Sequence, residues 1–63
     1  MTKLLLTPAE AAELLGLGRS TVYELLAVGD LESVLIGRAR RIPHAALVAY
    51  IERLRGEQNG AVA

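Results

Sequence analysis

A chain of 63 residues makes one small domain that buries only about 60% of the surface of its unfolded chain, so a large multi-part catalytic cleft does not fit. The absence of cysteine and the single histidine exclude a disulfide framework, a thiolate metal site and a zinc site built by this chain unaided. Seven basic residues balance seven acidic ones, and the formal net charge is zero. We therefore expect no enzyme activity and no cofactor.

The apolar run in the N-terminal segment MTKLLLTP is shorter than the ~7–15-residue apolar core of a signal peptide. No stretch approaches the roughly 20 apolar residues that span a membrane. These two features predict a cytoplasmic protein that does not bind membranes.

The first helix is predicted from its start and stop signals. Thr7 suits the N-cap, Pro8 suits the first helical position, and Glu10 stands three residues after the cap, where it can close a capping box. Gly16 can end the helix in the left-handed conformation. The inward face is predicted to hold Ala11, Ala12, Leu14 and Leu15.

A second helix is predicted over roughly residues 19–28, because Val22, Leu25 and Leu26 have the i, i+3, i+4 spacing of one buried stripe. Gly18 would be its N-cap and Gly29 would end it. Only the turn GLG separates it from the first helix, so the two helices must cross at a steep angle.

The pattern then changes to period two in LESVLIGRARRI, where Val34 and Ile36 alternate with their neighbours. Gly37 supplies a turn, and Arg41 and Ile42 can return antiparallel. This segment predicts a small β-hairpin.

Pro43 can open a last helix, whose apolar stripe has the spacing i, i+3, i+4, i+7: Leu47, Tyr50, Ile51 and Leu54. The glycines and polar residues of GEQNGAVA offer little to bury. We therefore predict one domain over residues 1–55 and a flexible tail over 56–63.

The order of elements indicates a helix-turn-helix. Ala12 allows close approach of the second helix, Gly16 makes the turn, and Val22 locks the pair together. The longer motifs LTPAEAAELLGLGRSTVYELL, GDLESVLIGRARRIP and AALVAYI resemble an excisionase-type winged helix-turn-helix domain, related to the MerR-like DNA-binding domains. This resemblance covers about residues 4–55 and implies a mostly α fold with a small β-hairpin.

The chain departs from the family pattern at two positions. Gly18 stands where a serine or threonine cap is frequent, and Glu24 stands where a basic residue is common. The first change costs a few tenths of a kcal/mol in helix stability. The second places a negative charge near the expected phosphates.

The resemblance implies that the second helix enters the major groove, while the hairpin, called the wing, lies on the backbone or in the next minor groove. The helix face turned away from the core carries candidate contacts, and the wing carries a basic cluster. The candidate DNA-binding residues are Arg19, Ser20, Thr21, Tyr23 and Glu24 on the helix and Arg38, Arg40 and Arg41 on the wing.

Each candidate also has an ordinary structural interpretation. The helix face can simply be solvated, Thr21 can cap the first helical turn beside Gly18, and Arg41 can lay its aliphatic stem over apolar surface. The wing arginines can be ordinary solvated hairpin residues.

The neutral average conceals a strong separation of charge. Residues 1–32 hold two basic and five acidic residues, a net −3, whereas residues 33–55 hold five arginines and one glutamate, a net +4. Three of the seven positive charges fall within positions 38–41. Phosphate contacts respond to the local field, so this distribution favours DNA binding by the wing.

The resemblance predicts a small sequence-specific protein that binds double-stranded DNA. In the excisionase role it would bind adjacent sites cooperatively, bend the DNA and favour excision by a partner integrase. A transcriptional regulator on an operator would have the same sequence features, and a neighbouring integrase gene would favour the first role. A third hypothesis, a helical protein-interaction module, predicts an oligomer without salt-sensitive DNA binding.

Overall fold

A computed structural model describes residues 3–62, with the side chains of residues 3–58. Three helices and three short strands follow one another along the chain: β1 (Leu5–Leu6), α1 (Pro8–Leu15), α2 (Arg19–Val28), β2 (Val34–Ile36), β3 (Ala39–Pro43) and α3 (His44–Val62). The strands form one antiparallel sheet in the order β1-β3-β2. The predicted fold class, a mostly helical winged helix-turn-helix, is confirmed.

The start and end of α1 follow the predicted signals. The Thr7 hydroxyl accepts a bond from the Glu10 amide at 3.1 Å, and the Glu10 carboxylate accepts one from the Thr7 amide at 2.9 Å, which completes the capping box. Gly16 ends the helix with φ of 72°, in the left-handed region that glycine adopts without strain. This cap fixes the direction in which the chain leaves toward α2.

The small core lies where the helix pair meets the sheet. Val22 of α2 and Ala11 of α1 are fully buried, and Ile42 of β3 is buried from the sheet side. Two small alanines in α1 leave room for the helices to approach. Among the side chains of residues 3–58, the buried set is Leu6, Ala11, Ala12, Val22, Leu31, Ile42, Ala46 and Leu47.

The predicted hairpin forms, and it belongs to a sheet with one strand more than the sequence pattern indicates. Leu35 pairs with Arg40 and Ile36 with Ala39, and Gly37 makes the tip with φ of 63°. A third strand, β1, pairs with the other edge of β3, with Leu6 opposite Ile42. Two residues are too few for period two to be recognised, which is why the sequence did not reveal β1.

Two apolar residues predicted to face inward do not. Leu14 is 61% exposed and Ile51 is 42% exposed. At about 100° per residue, Leu14 lies roughly 100° from the centre of the Ala11, Ala12 and Leu15 face. The buried stripe of α3 is centred on Ala46, Leu47 and Tyr50, which leaves Ile51 at its margin.

The last helix continues past its predicted apolar stripe, because α3 runs to Val62. Gly56 lies inside the helix at a cost of about 1 kcal/mol relative to alanine. Ion pairs one turn apart support the helix around it, between Arg55 and Glu52 at 3.3 Å and between Arg53 and Glu57 at 3.7 Å. The division into a domain over 1–55 and a flexible tail stays a prediction.

Within the described residues, none of the helices has the length and apolar character needed to cross a membrane.

The capping box makes the stability of the fold depend on pH. The Lys3 ammonium, followed by the Thr7 amide, lowers the pKa of Glu10 from 4.5 to about 2. A carboxyl with a depressed folded-state pKa stabilises the fold above its unfolded value, and this contribution disappears as pH falls from about 4.5 to about 2. We expect the Glu10→Gln variant to melt below the wild type at pH 7 and the gap to close by pH 2.

Thermal unfolding followed by circular dichroism from pH 7 to pH 2 measures this gap. Glu13→Gln is the control, because it removes an exposed charge from the same helix. Among the described residues, the Glu13 carboxylate belongs to no ion pair. A gap between wild type and Glu10→Gln that stays constant over the whole range would contradict the assignment.

Candidate nucleic-acid interface

The outward face of α2 carries the predicted helix contacts. Arg19, Ser20, Tyr23 and Glu24 are all exposed, whereas Val22 is fully buried. The helical period explains this, because positions 19, 20, 23 and 24 fall within about 140° of one another. The structure therefore brings these four residues to one face.

Thr21 lies at the edge of that face and is also exposed. The Gly18 N-cap provides no side-chain hydrogen bond to the first turn of α2, as glycine requires. The DNA contact of Thr21 stays a prediction.

The three wing arginines have different surroundings. Arg38 is exposed in the turn beside Gly37. Arg40 is exposed, and its Nη1 donates to the Ser33 Oγ at 2.7 Å. Arg41 is half-buried, and its Nη1 donates to the Arg40 carbonyl at 2.9 Å.

Strand periodicity separates Arg40 from Arg41. Arg40 and Ile42 are two positions apart in β3 and share the sheet face that packs on the helices, because side chains alternate along a strand. Arg41 points to the opposite face. Among the wing arginines that belong to β3, Arg40 is thus the one on the side of α2.

The helix and the wing meet at a depression of about 390 Å³, lined by Tyr23, Leu26 and Ala27 of α2 and by Arg40 of β3. Two predicted contacts that stand 17 positions apart in the sequence, Tyr23 and Arg40, therefore border one surface. The combination of an aromatic ring, small apolar groups and a guanidinium suits a sugar-phosphate strand running between helix and wing.

The basic residues divide into two groups. Lys3 pairs with Glu10, and Arg55 pairs with Glu52. Arg53 donates to the Asp30 carbonyl at 2.9 Å, lies near the Asp30 and Glu57 carboxylates, and stands 5.5 Å from the centre of the Tyr50 ring. These contacts occupy every basic residue outside α2 and the wing.

The remaining four basic residues have no carboxylate within 4.0 Å among the side chains of residues 3–58. All four were predicted as DNA contacts: Arg19, Arg38, Arg40 and Arg41. Intramolecular ion pairs thus leave free positive charge on α2 and on the wing.

Ser33 also belongs to this surface through its bond to Arg40, although the sequence pattern did not indicate it. It directly precedes β2 and stands two positions before Leu35, the register partner of Arg40. A residue diagonally across from a long side chain in an antiparallel pair can touch it, so the hairpin register contained the signal. The sequence alone does not specify that register, because it depends on which strands pair.

Within the described residues, no group of three or more histidine, cysteine, aspartate or glutamate side chains lies close enough together to hold a metal ion.

Comparison with known proteins agrees with this geometry. A family described as "Helix-turn-helix domain" matches residues 5–55. A "Probable excisionase" of Saccharopolyspora erythraea is 52% identical over 59 residues, which cover 94% of this chain and 60% of that protein. Uncharacterised proteins of Mycobacterium tuberculosis and Mycobacterium bovis are each 40% identical over 58 residues, covering 92% of this chain and 51% of theirs.

The chain thus spans between half and two thirds of the length of these relatives. No solved structure matches it significantly. The resemblance to excisionase-type domains seen in the sequence motifs is confirmed by the family match and by the similarity to the Saccharopolyspora protein. The chain belongs to the helix-turn-helix domain family, in its excisionase-like form with a β-hairpin wing.

Proposed function

We propose that this protein binds double-stranded DNA sequence-specifically, with α2 in the major groove and the wing on the adjacent backbone or minor groove. The observation that carries the proposal is the sorting of charge. Every basic residue without a carboxylate partner among residues 3–58 lies on α2 or on the wing. In this way a chain with zero net charge has a positive surface. The proposed function needs no cofactor and no catalysis by this chain.

On α2, Arg19 and Ser20 are the contacts we propose for base and phosphate recognition. Tyr23 reaches a phosphate or a base edge, and Glu24 can accept from the N4 amino group of cytosine. Thr21 supplies a phosphate contact at the edge of the face. Arg38 and Arg40 contact phosphates, and the half-buried Arg41 adds to the positive field.

The number of free arginines limits the affinity of one protomer. Each neutralised phosphate contributes about 0.9 to the salt slope, so four arginines give a slope of about −3.6. Binding should then weaken about a hundredfold between ~50 and ~200 mM salt. A monomer on one site is correspondingly a modest binder.

This limit supports the more specific proposal, which is that the protein acts as a recombination directionality factor. It occupies adjacent sites cooperatively, bends the DNA and favours excision by a partner integrase. The similarity to the "Probable excisionase" points the same way. A regulator that binds a single operator is the alternative, and the number of adjacent sites needed separates the two.

Removing the wing charge should weaken binding to all DNA alike. In the Arg38→Ala/Arg40→Ala variant we expect the salt slope to fall by about two, because two phosphate contacts disappear. Fluorescence anisotropy of a labelled mixed-sequence duplex at several salt concentrations measures the slope.

Arg55→Ala is the control, since it removes a guanidinium from α3, where Arg55 pairs with Glu52. Its slope should equal that of the wild type. If the double variant kept the wild-type slope and changed only its base preference, the wing would be reading sequence and the phosphate assignment would be wrong.

Cooperative binding should appear on tandem sites. The test uses a site selected from a random library, in one copy or in two copies one helical turn apart. We expect the two-copy duplex to bind with a Hill coefficient above one. Its half-saturation should occur at a lower protein concentration than that of the single-copy duplex. Tight, non-cooperative binding to the single copy would contradict the recombination role and favour the operator-binding alternative.

A further inference from the structure

The hydrogen bond between Ser33 and Arg40 sets Arg40 apart from its neighbour in the turn. The Arg40 Nη1 donates to the Ser33 Oγ at 2.7 Å, and Ser33 is half-buried at the base of the wing. Arg38 makes no side-chain hydrogen bond among the described residues. Arg40 is therefore held by a side-chain contact that Arg38 lacks.

The hairpin register determines the direction in which Arg40 is held. Its register partner is Leu35, and Ser33 lies on the same face two positions nearer the base of the hairpin. The bond therefore draws the guanidinium back from the wing tip and toward α2. There it borders the depression that also contains Tyr23 and Ala27.

The held guanidinium keeps most of its binding capacity. An arginine side chain carries five N–H donors, and the Ser33 hydroxyl uses one of them. The others remain for a phosphate, which a guanidinium can bind with two parallel hydrogen bonds. No carboxylate among residues 3–58 lies within 4.0 Å to compete.

We propose that Ser33 is a positioning residue for DNA recognition. Its hydroxyl holds Arg40 in the depression between α2 and the wing. There the guanidinium binds a phosphate of the DNA strand that passes between the helix and the wing. This inference rests on the proposed DNA-binding function. Arg38 then supplies charge at the wing tip, whereas Arg40 fixes the register of the protein on the duplex. The conformational entropy of the Arg40 side chain is thus lost when the protein folds, and less is lost when DNA binds.

A double-mutant cycle between Ser33 and Arg40 tests the proposal. We expect Ser33→Ala to weaken binding to a selected site about three- to tenfold, which is the effect of ordering one flexible side chain on binding. The salt slope should not change, because no charge is lost. Arg40→Ala should lower the slope by about one, and adding Ser33→Ala to it should cause no further loss.

The controls distinguish positioning from other roles of Ser33. Ser33→Thr keeps the hydroxyl and should restore wild-type affinity, and circular dichroism of each free variant checks that the fold is intact. An equal loss from Ser33→Ala with and without Arg40 would mean that Ser33 acts independently of Arg40, and would overturn the proposal. An unchanged affinity of Ser33→Ala, or failure of Ser33→Thr to restore it, would overturn it as well.

Loss of DNA binding and loss of the positioning role give different experimental results. If the wild-type chain bound no duplex at the lowest salt, the DNA-binding function itself would be wrong, and the role of Ser33 would fall with it. If the wild type bound with the expected salt slope and the cycle showed no coupling, only the positioning role would be lost.

Discussion

The close packing of α2 on α1 is the constraint on which the rest of the structure depends. Ala11 of α1 and Val22 of α2 are fully buried in one core cluster, and Ala12 is nearly so. Side chains larger than alanine in α1 would separate the helices and turn α2 relative to the sheet. Because Gly16 permits a turn of only three residues, this packing also fixes which face of α2 looks outward. The orientation of the outward face of α2, which carries the predicted helix contacts, thus follows from the packing of the core.

The sheet joins the wing to the same core. Ile42 of β3 is fully buried, so the side chain two positions earlier, that of Arg40, is carried on the helix side of the hairpin. Elsewhere, Arg53 pairs with Asp30 and Glu57, and Lys3 pairs with Glu10. Such exposed pairs contribute little stability individually. Their effect here is on the distribution of charge, because they leave the free arginines on α2 and on the wing.

The sequence was sufficient for the parts of the fold that depend on local signals. Thr7, Glu10 and Gly16 each carry a specific capping chemistry, and Gly37 a specific turn conformation, so the bounds of α1 and the position of the hairpin could be predicted. Strand β1 could not be, because Leu5 and Leu6 pair with residues almost 40 positions later and give no periodic pattern of their own. The full length of α3 was not predictable from its apolar stripe, which ends at Leu54. A single glycine at 56 stops a helix less effectively than a proline, and local ion pairs support the helix around it.

The candidate site was predictable to a similar degree. Helical period identified Arg19, Ser20 and Tyr23 as one outward face, and composition identified the basic cluster of the wing. The different settings of Arg40 and Arg41 depend on strand pairing and on which face Ile42 occupies. The contact with Ser33 depends on a diagonal across two strands. These are properties of register, and a single sequence does not specify register until the opposing strand is known.

The most direct test of the central claim, that α2 reads DNA while the wing holds it, is a nitrogen-15 NMR titration of the protein with two duplexes. One duplex carries a site selected from a random library, and the other is a scrambled sequence of the same composition. We predict amide shifts in residues 36–41 with both duplexes, and in residues 19–24 mainly with the selected site. Shifts centred instead on the apolar surface around Leu4, Leu5 and Val48, or an α2 that responds equally to both duplexes, would contradict it.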